Sequence, residues 1–334
     1  MFATLLGGLP RPVEAGGATL DLEAAVEAAI RAQESAGLEP VTDGRLRTPD
    51  LLDLGGALLR NVEPPTGTTP ATTPVTLASW RTAAALTDRA VKQALPGPYT
   101  LGRRSATPTA GGSRRSDRAR RRDRAAATMA FADALRREVD ALAEAGCRLI
   151  EIEELDAHLI GDDEAERRLF RDAHHRITDG VDGSHLSLSI VGGSAHTAGS
   201  ATILGAPYHS LAVDLIAGPD NWYLVTAAPM DRGIVVGARS AADSPVEGPE
   251  LLIWAANYAA STQGRGLVRV GLGTAGGLAN LSWDEAVAKL NALGEAARLA
   301  ALPPGDELAD AVDPRSIDSR TAAVGRRRGS PKRP

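Results

Sequence analysis

Short runs rich in aliphatic and β-branched residues alternate along this chain with longer segments whose apolar residues recur at helical spacing, and this alternation restricts the fold more than any other feature. It is the pattern of parallel βα units, in which a helix must intervene between neighbouring strands. The strand candidates are Phe2 to Leu6, Glu39 to Thr42, Tyr99 to Gly102, Leu149 to Glu153, Leu186 to Val191, Leu211 to Ile216, Gly233 to Ala238 and Leu267 to Leu272. Eight such units predict a (β/α)8 barrel with its active site at the C-terminal ends of the strands. A doubly wound open sheet is the alternative.

Two of the helices are explicit in the sequence. Phe131, Leu135, Val139 and Leu142 form one apolar stripe, with Arg136, Arg137, Asp140 and Glu144 on other faces, and Gly146 is placed to stop that helix. Ser282 followed by Glu285 reads as a capping box, with Ala286, Leu290, Leu293 and Ala297 on one face behind it. The expected organisation is one barrel over residues 1–312, interrupted by an arginine-rich insertion at 103–124 and followed by a disordered basic tail at 313–334.

The insertion holds nine arginines and almost no apolar residues. Three readings stand: a solvated mobile loop, a cluster that binds an anionic substrate or cofactor such as a polyglutamylated folate, or a phosphate-binding stretch. No aromatic residue lies within it to stack a base, and the net charge of -5 argues against a general nucleic-acid binder. The single cysteine, Cys147, excludes an intrachain disulfide and a multi-cysteine zinc site, and it reads as a packed core thiol. No apolar run is long enough to span a bilayer and no signal peptide is evident, so the expectation is a cytoplasmic chain of unknown oligomeric state acting on a small, anionic molecule.

Several segments occur in an order that carries a resemblance: the opening Leu6-Gly7-Gly8-Leu9-Pro10, the stretch from Gln33 to Gly44, Val91-Lys92 running into Gly97-Pro98, Ile150 to Glu154, and Ser282-Trp283-Asp284-Glu285-Ala286. Together they resemble the catalytic C-terminal domain of cobalamin-independent methionine synthase. The resemblance runs from Phe2 to about Leu299 and implies a barrel similar to methionine synthase and uroporphyrinogen decarboxylase-like barrels. It also implies transfer of a methyl group to a thiol that zinc holds as thiolate, with a folate or corrinoid methyl donor.

Site residues follow from the same resemblance. Gly7 and Gly8 fall where the family holds its amino-acid substrate, without the family's serine. Arg45 stands where the family has a glutamate, which reverses the charge and favours a carboxylate or phosphate. Glu153 and Glu154 match the acidic end of the fourth strand, as catalytic groups or as an exposed acidic pair, and Asp214 matches an acid on the sixth. The family's His-x-Cys pair falls within Leu186 to Val191, and its Cys-Gly pair within Gly273 to Gly277, so no metal ligand set is retained. His185, His196 and His209 lie nearby in sequence and could form a different metal site with Asp214, but their spacing matches no metal signature and they read as solvent-facing or loop histidines. Three functions remain open: methyl or one-carbon transfer using Glu153, Glu154 and Asp214; a metal-free lyase or decarboxylase holding a small acid on Arg45; and a non-catalytic ligand-binding homologue.

Overall fold

The computed structural model describes residues 1–13, 19–60, 74–105, 117–242, 248–303 and 305. Seven parallel strands form one sheet: β1 (Phe2–Thr4), β2 (Lys92–Pro96), β3 (Leu149–Glu154), β4 (His185–Ile190), β5 (Ser210–Asp214), β6 (Gly233–Arg239) and β7 (Val270–Thr274). Their order is β1-β7-β6-β5-β4-β3-β2, so the chain winds one way around and never reverses. A doubly wound sheet, which changes direction at a switch point, is excluded. The helices are α1 (Leu22–Ser35), α2 (Leu54–Arg60), α3 (Leu77–Ala84), α4 (Pro98–Ser105), α5 (Asp117–Glu144), α6 (Glu164–Thr178), α7 (Ser200–Ile203), α8 (Trp222–Ala227), α9 (Pro249–Ser261) and α10 (Trp283–Ala300).

The closed eight-stranded barrel is not what forms. The expected second strand, Glu39 to Thr42, is reduced to a single bridge between Val41 and Val91. Pro40 has no N–H to give to a ladder, which limits pairing there. The sheet nevertheless curls until both of its edges meet this segment: Glu39 N donates to Ala3 O at 2.9 Å on one side, and Lys92 N donates to Val41 O at 2.8 Å on the other.

The expected third strand also moves. Residues 98–105 are helical, and the strand is the preceding Lys92–Pro96. Pro98 suits a first helical turn, and the N–H groups of Tyr99 and Thr100 bond to the Glu154 carboxylate instead of a neighbouring strand. Lys92 disguised the true strand, because a charged residue at an inward position breaks the apolar pattern that marks a parallel strand. The last strand starts at Val270, three residues later than expected, after a 3-10 turn over Leu267–Arg269.

The arginine-rich stretch is helical at both ends, closing α4 and opening α5, while residues 106–116 lie outside the described residues. Its arginines are not simply solvated. Arg104 pairs with Asp156 at 2.9 Å, Arg121 with Asp163, and Arg124 with Glu166. These contacts join α4 and α5 to the start of α6 and to the loop after β3. The two helices also approach closely, since a Cβ on Gly102 would lie 2.0 Å from Thr128 Oγ1. The expected disordered tail lies outside the described residues.

Strand alternation divides the core in two. Ile150, Ile152, Leu188, Leu211 and Val213 face outward into one large cluster beneath the helices. Inside the curl, the register sets Ala94, Glu151, Ser187, Ser210 and Gly233 side by side, then Pro96, Glu153, Ser189, Ala212, Val235 and Gly271. The interior is therefore lined by small and polar residues, with one small apolar cluster of Leu6, Ala212 and Val235 against Phe2.

The two helices explicit in the sequence form as expected. Phe131, Leu135, Val139 and Leu142 are buried, Gly146 adopts φ +88° just past α5, and Ser282 with Glu285 completes the capping box of α10. Cys147 is fully buried at the start of β3, away from the C-terminal strand ends, and burial pushes its thiol up to about 12. Ellman's reagent should find no reactive thiol in the native protein and one per chain in denaturant; rapid labelling of native protein would show that this core opens readily.

Candidate active site

The segment after the Val41 bridge is held by one side chain. Gln33 of α1 donates to Thr42 O at 2.8 Å and accepts from Thr42 N at 2.9 Å, clamping the strand-like backbone from both sides. Beyond it, Thr42 Oγ1 accepts from Gly44 N and Asp43 Oδ1 accepts from Arg45 N, which coils the chain sharply over the sheet's C-terminal end. Gly44 and Arg45 both take positive φ, at 70° and 55°. For arginine this is a strained conformation costing on the order of 1 kcal/mol, held by the turn around it. These contacts tie Gln33 and Thr42-Asp43-Gly44 into one structural unit.

The turn delivers the Arg45 guanidinium to Glu153, the inward residue at the end of β3. Nη1 donates to Oε1 at 3.1 Å and Nη2 bonds to Oε2, a two-pronged ion pair with both side chains largely enclosed. Burial opposes the charge on Arg45, but the adjacent Glu153 carboxylate outweighs it and holds the guanidinium above its ordinary range. One layer deeper lies a second pair that sequence reasoning missed. Lys92 Nζ donates to Glu151 Oε1 at 2.9 Å and to Leu5 O at 2.8 Å, with both charged side chains buried. The available signal was the acid at every second position of Glu151-Ile152-Glu153, a charged face alternating with an apolar one. A cavity of about 20 Å³ lies between the two pairs and the Gly7 turn, enough for one water.

Gly7 adopts φ +85°, and a Cβ there would lie 2.4 Å from the Cα of Gly277. Gly8 O accepts from Leu278 N at 2.7 Å, and Thr274 Oγ1 bonds both Leu6 N and Leu6 O. The exits of β1 and β7 are thus joined backbone to backbone. Across the mouth, Asp214 ends β5, where its Oδ1 accepts from Ile216 N and Ala217 N, both at 2.9 Å.

Glu154 does not share the mouth with Glu153. It is fully buried on the outer side of β3, where it accepts from Tyr99 N, Thr100 N and the Thr100 hydroxyl, and meets His174 Nε2 at 3.1 Å. His174 in turn meets the Tyr208 hydroxyl at 2.7 Å. Gly97 is required beneath it, because a Cβ there would fall 2.1 Å from Glu154 Cδ. The adjacent carboxylates therefore separate: Glu153 faces the candidate site, and Glu154 fastens β3 to α4 and α6.

The inward positions at the matching stretch of β4 are Ser187 and Ser189, both buried, and neither hydroxyl has a hydrogen-bond partner among the described residues. Two neutral hydroxyls, one aspartate already bonded to backbone, and glycines at 273, 276 and 277 do not make the nitrogen and sulfur set that zinc selects. No group of three His, Cys, Asp or Glu side chains comes together among the described residues. His185 and His209 lie at the opposite end of the sheet, their rings 5.1 Å apart, and His196 stacks on Tyr223. Among the described residues His185 meets Ser210 Oγ, His209 accepts from Leu186 N and His196 faces Asp220, so none of the three pairs with Asp214.

Residues 57–196 match the family model described as the catalytic domain of cobalamin-independent synthase. Among solved structures, a B12-independent methionine synthase from Shewanella sp. W3-18-1, in complex with selenomethionine, superposes with a TM-score of 0.70 at 16% identity, covering 89% of this chain and 96% of that one. A putative vitamin-B12 independent methionine synthase from Listeria monocytogenes gives 0.62 at 17% identity over 89% and 97%. A methyltransferase from Methanosarcina mazei gives 0.53 at 15% identity over 88% and 94%. None of the curated proteins compared is significantly similar to the sequence. No helix among the described residues is long and apolar enough to cross a membrane.

Proposed function

We propose that this chain, whose family match is to the catalytic domain of cobalamin-independent methionine synthase, is a methyltransferase-like enzyme that moves a methyl or other one-carbon group at the C-terminal mouth of its curled sheet. The observation that carries the reading is the Arg45–Glu153 pair, set against the Gly7-Gly8 turn in the fold shared with those synthases. Glu153 is the acid-base group, Arg45 fixes its orientation, and Asp214 lines the opposite wall. A carboxylate base assists by about 10²- to 10⁴-fold, less than a metal that holds a thiol as thiolate. We therefore read this as a slow or altered version of the family reaction, drawing on a folate or corrinoid methyl donor and needing no zinc.

The lyase reading loses its main support, since an acidic substrate seated on Arg45 would have to displace a bidentate carboxylate that is already in place. Homocysteine methylation should be assayed with methyltetrahydrofolate and with a methylcorrinoid donor, before and after chelator treatment, alongside elemental analysis. The expected result is methyl transfer that survives chelation in protein with little zinc. Stoichiometric zinc with chelator-sensitive turnover would overturn the metal-free chemistry, and no transfer from either donor would overturn the reading as a whole.

A further inference from the structure

We propose that the N-terminal mouth of the sheet, at the end opposite the candidate active site, is a second binding chamber that takes a small organic anion with an apolar body. The inward layers explain why a chamber exists there at all. Glu151, Ser187, Ser210 and Gly233 occupy adjacent positions where a (β/α)8 barrel ordinarily carries bulky branched side chains. Gly271 in the next layer leaves only enough room for the Phe2 ring, since a Cβ there would lie 2.4 Å from that ring. Among the described residues the space left there is about 940 Å³ and opens to solvent at its outer end, a volume at the upper end of that of small-molecule sites.

Its walls and its ends differ in chemistry. Leu149, Pro207, Val235 and Val268 supply an apolar surface along the sides. The inner end is closed by the Lys92–Glu151 pair, which also borders the small cavity under Arg45, so this pair is the partition between the two ends of the molecule. Beside the partition stands the Ser187 hydroxyl, 2% exposed and without a hydrogen-bond partner among the described residues. A buried hydroxyl left unbonded costs roughly 1–3 kcal/mol, and a ligand oxygen or nitrogen reaching it would recover that.

The outer end is set by charge. Arg148, Arg232 and Arg269 stand at the rim against Glu39 and Asp231, leaving an excess of positive charge around the entrance. His185 and His209 also line it. His209 Nδ1 accepts from Leu186 N at 2.9 Å, which places the proton of a neutral ring on Nε2 as a donor. Burial and then the neighbouring His209 lower His185 to about 4, so near neutral pH it adds no charge of its own. An anionic group at the rim with an apolar body running inward toward Ser187 satisfies each of these features.

The test uses two fluorescent probes that differ by one sulfonate, 8-anilinonaphthalene-1-sulfonate and the neutral N-phenyl-1-naphthylamine, titrated into the full chain at low and high salt. The sulfonate probe should bind at one site per chain, more tightly than the neutral one and more weakly as salt rises. Ser187→Phe, which fills the inner end, should weaken both probes by about tenfold or more, a change of about 1.4 kcal/mol. Arg148→Glu, at an exposed position where folding is not at stake, should weaken the sulfonate several-fold and leave the neutral probe unchanged, which decides the question even if Ser187→Phe fails to fold. Trp254 and Tyr258 form an exposed aromatic pair that could also attract such probes. Binding abolished by Trp254→Ser and indifferent to Arg148→Glu, or no stoichiometric binding at all, would overturn the proposal.

Discussion

Replacing Glu154 by alanine is expected to cost about 3–5 kcal/mol of folding stability, a large share of the roughly 5–15 kcal/mol that native proteins have in all. The carboxylate is fully buried, accepts two backbone N–H groups at the start of α4 and the Thr100 hydroxyl, and meets His174. Removing it strands several buried donors at once, and each of these carries its own desolvation cost. Glu154→Gln, which keeps the size and two acceptor lone pairs, should lose clearly less. Urea denaturation followed by circular dichroism measures both. A loss below about 1 kcal/mol for the alanine variant would mean that α4 holds its place without this carboxylate.

The second large effect separates folding from chemistry at Arg45 and Glu153. Either Arg45→Met or Glu153→Met alone leaves a largely enclosed charge without its partner and should destabilise by about 2–4 kcal/mol, somewhat under the figure for fully buried pairs because Arg45 keeps some contact with solvent. The double variant should recover most of that loss, since paired apolar residues of similar size often replace an ion pair at little cost. Activity should not follow. If Glu153 is the acid-base group, the double variant stays about 10²-fold or more below the native enzyme although it folds well. Methyl transfer that returned together with stability would reduce the pair to a structural strut.

The outward, apolar half of this architecture was legible in the sequence and the inward, polar half was not. Ile150 and Ile152, Leu186 and Leu188, and Leu211 and Val213 announce buried parallel strands, and those strands stand where they were expected within a residue or two. The misplaced third strand has one cause. Lys92 is charged yet buried, and only its partner Glu151, more than fifty residues away, makes that tolerable. No local pattern reveals such a partner. The same applies to Glu153 and Glu154, which read as an acidic pair until the strand's alternation turns them to opposite faces. Arg45 reads in the sequence as an anchor for a substrate anion, and the carboxylate it meets in the structure is the protein's own Glu153, which no spacing along the chain reveals. The described ends of the arginine-rich stretch are helical and pair with Asp156, Asp163 and Glu166, acids that lie beyond the helix it precedes and that no local pattern links to it.

The backbone seam between Gly7 and Gly277 has a consequence for how such a site can diverge. Where two main chains lie in contact, almost any substitution would force the exits of β1 and β7 apart, so that side of the mouth offers selection almost nothing to vary. New ligand preferences would have to be written on the other walls of the opening, where side chains such as those of Arg45 and Glu153 rather than main chain are presented. A mutational library aimed at changing specificity should therefore leave 6–8 and 274–278 untouched and spend its diversity across the mouth.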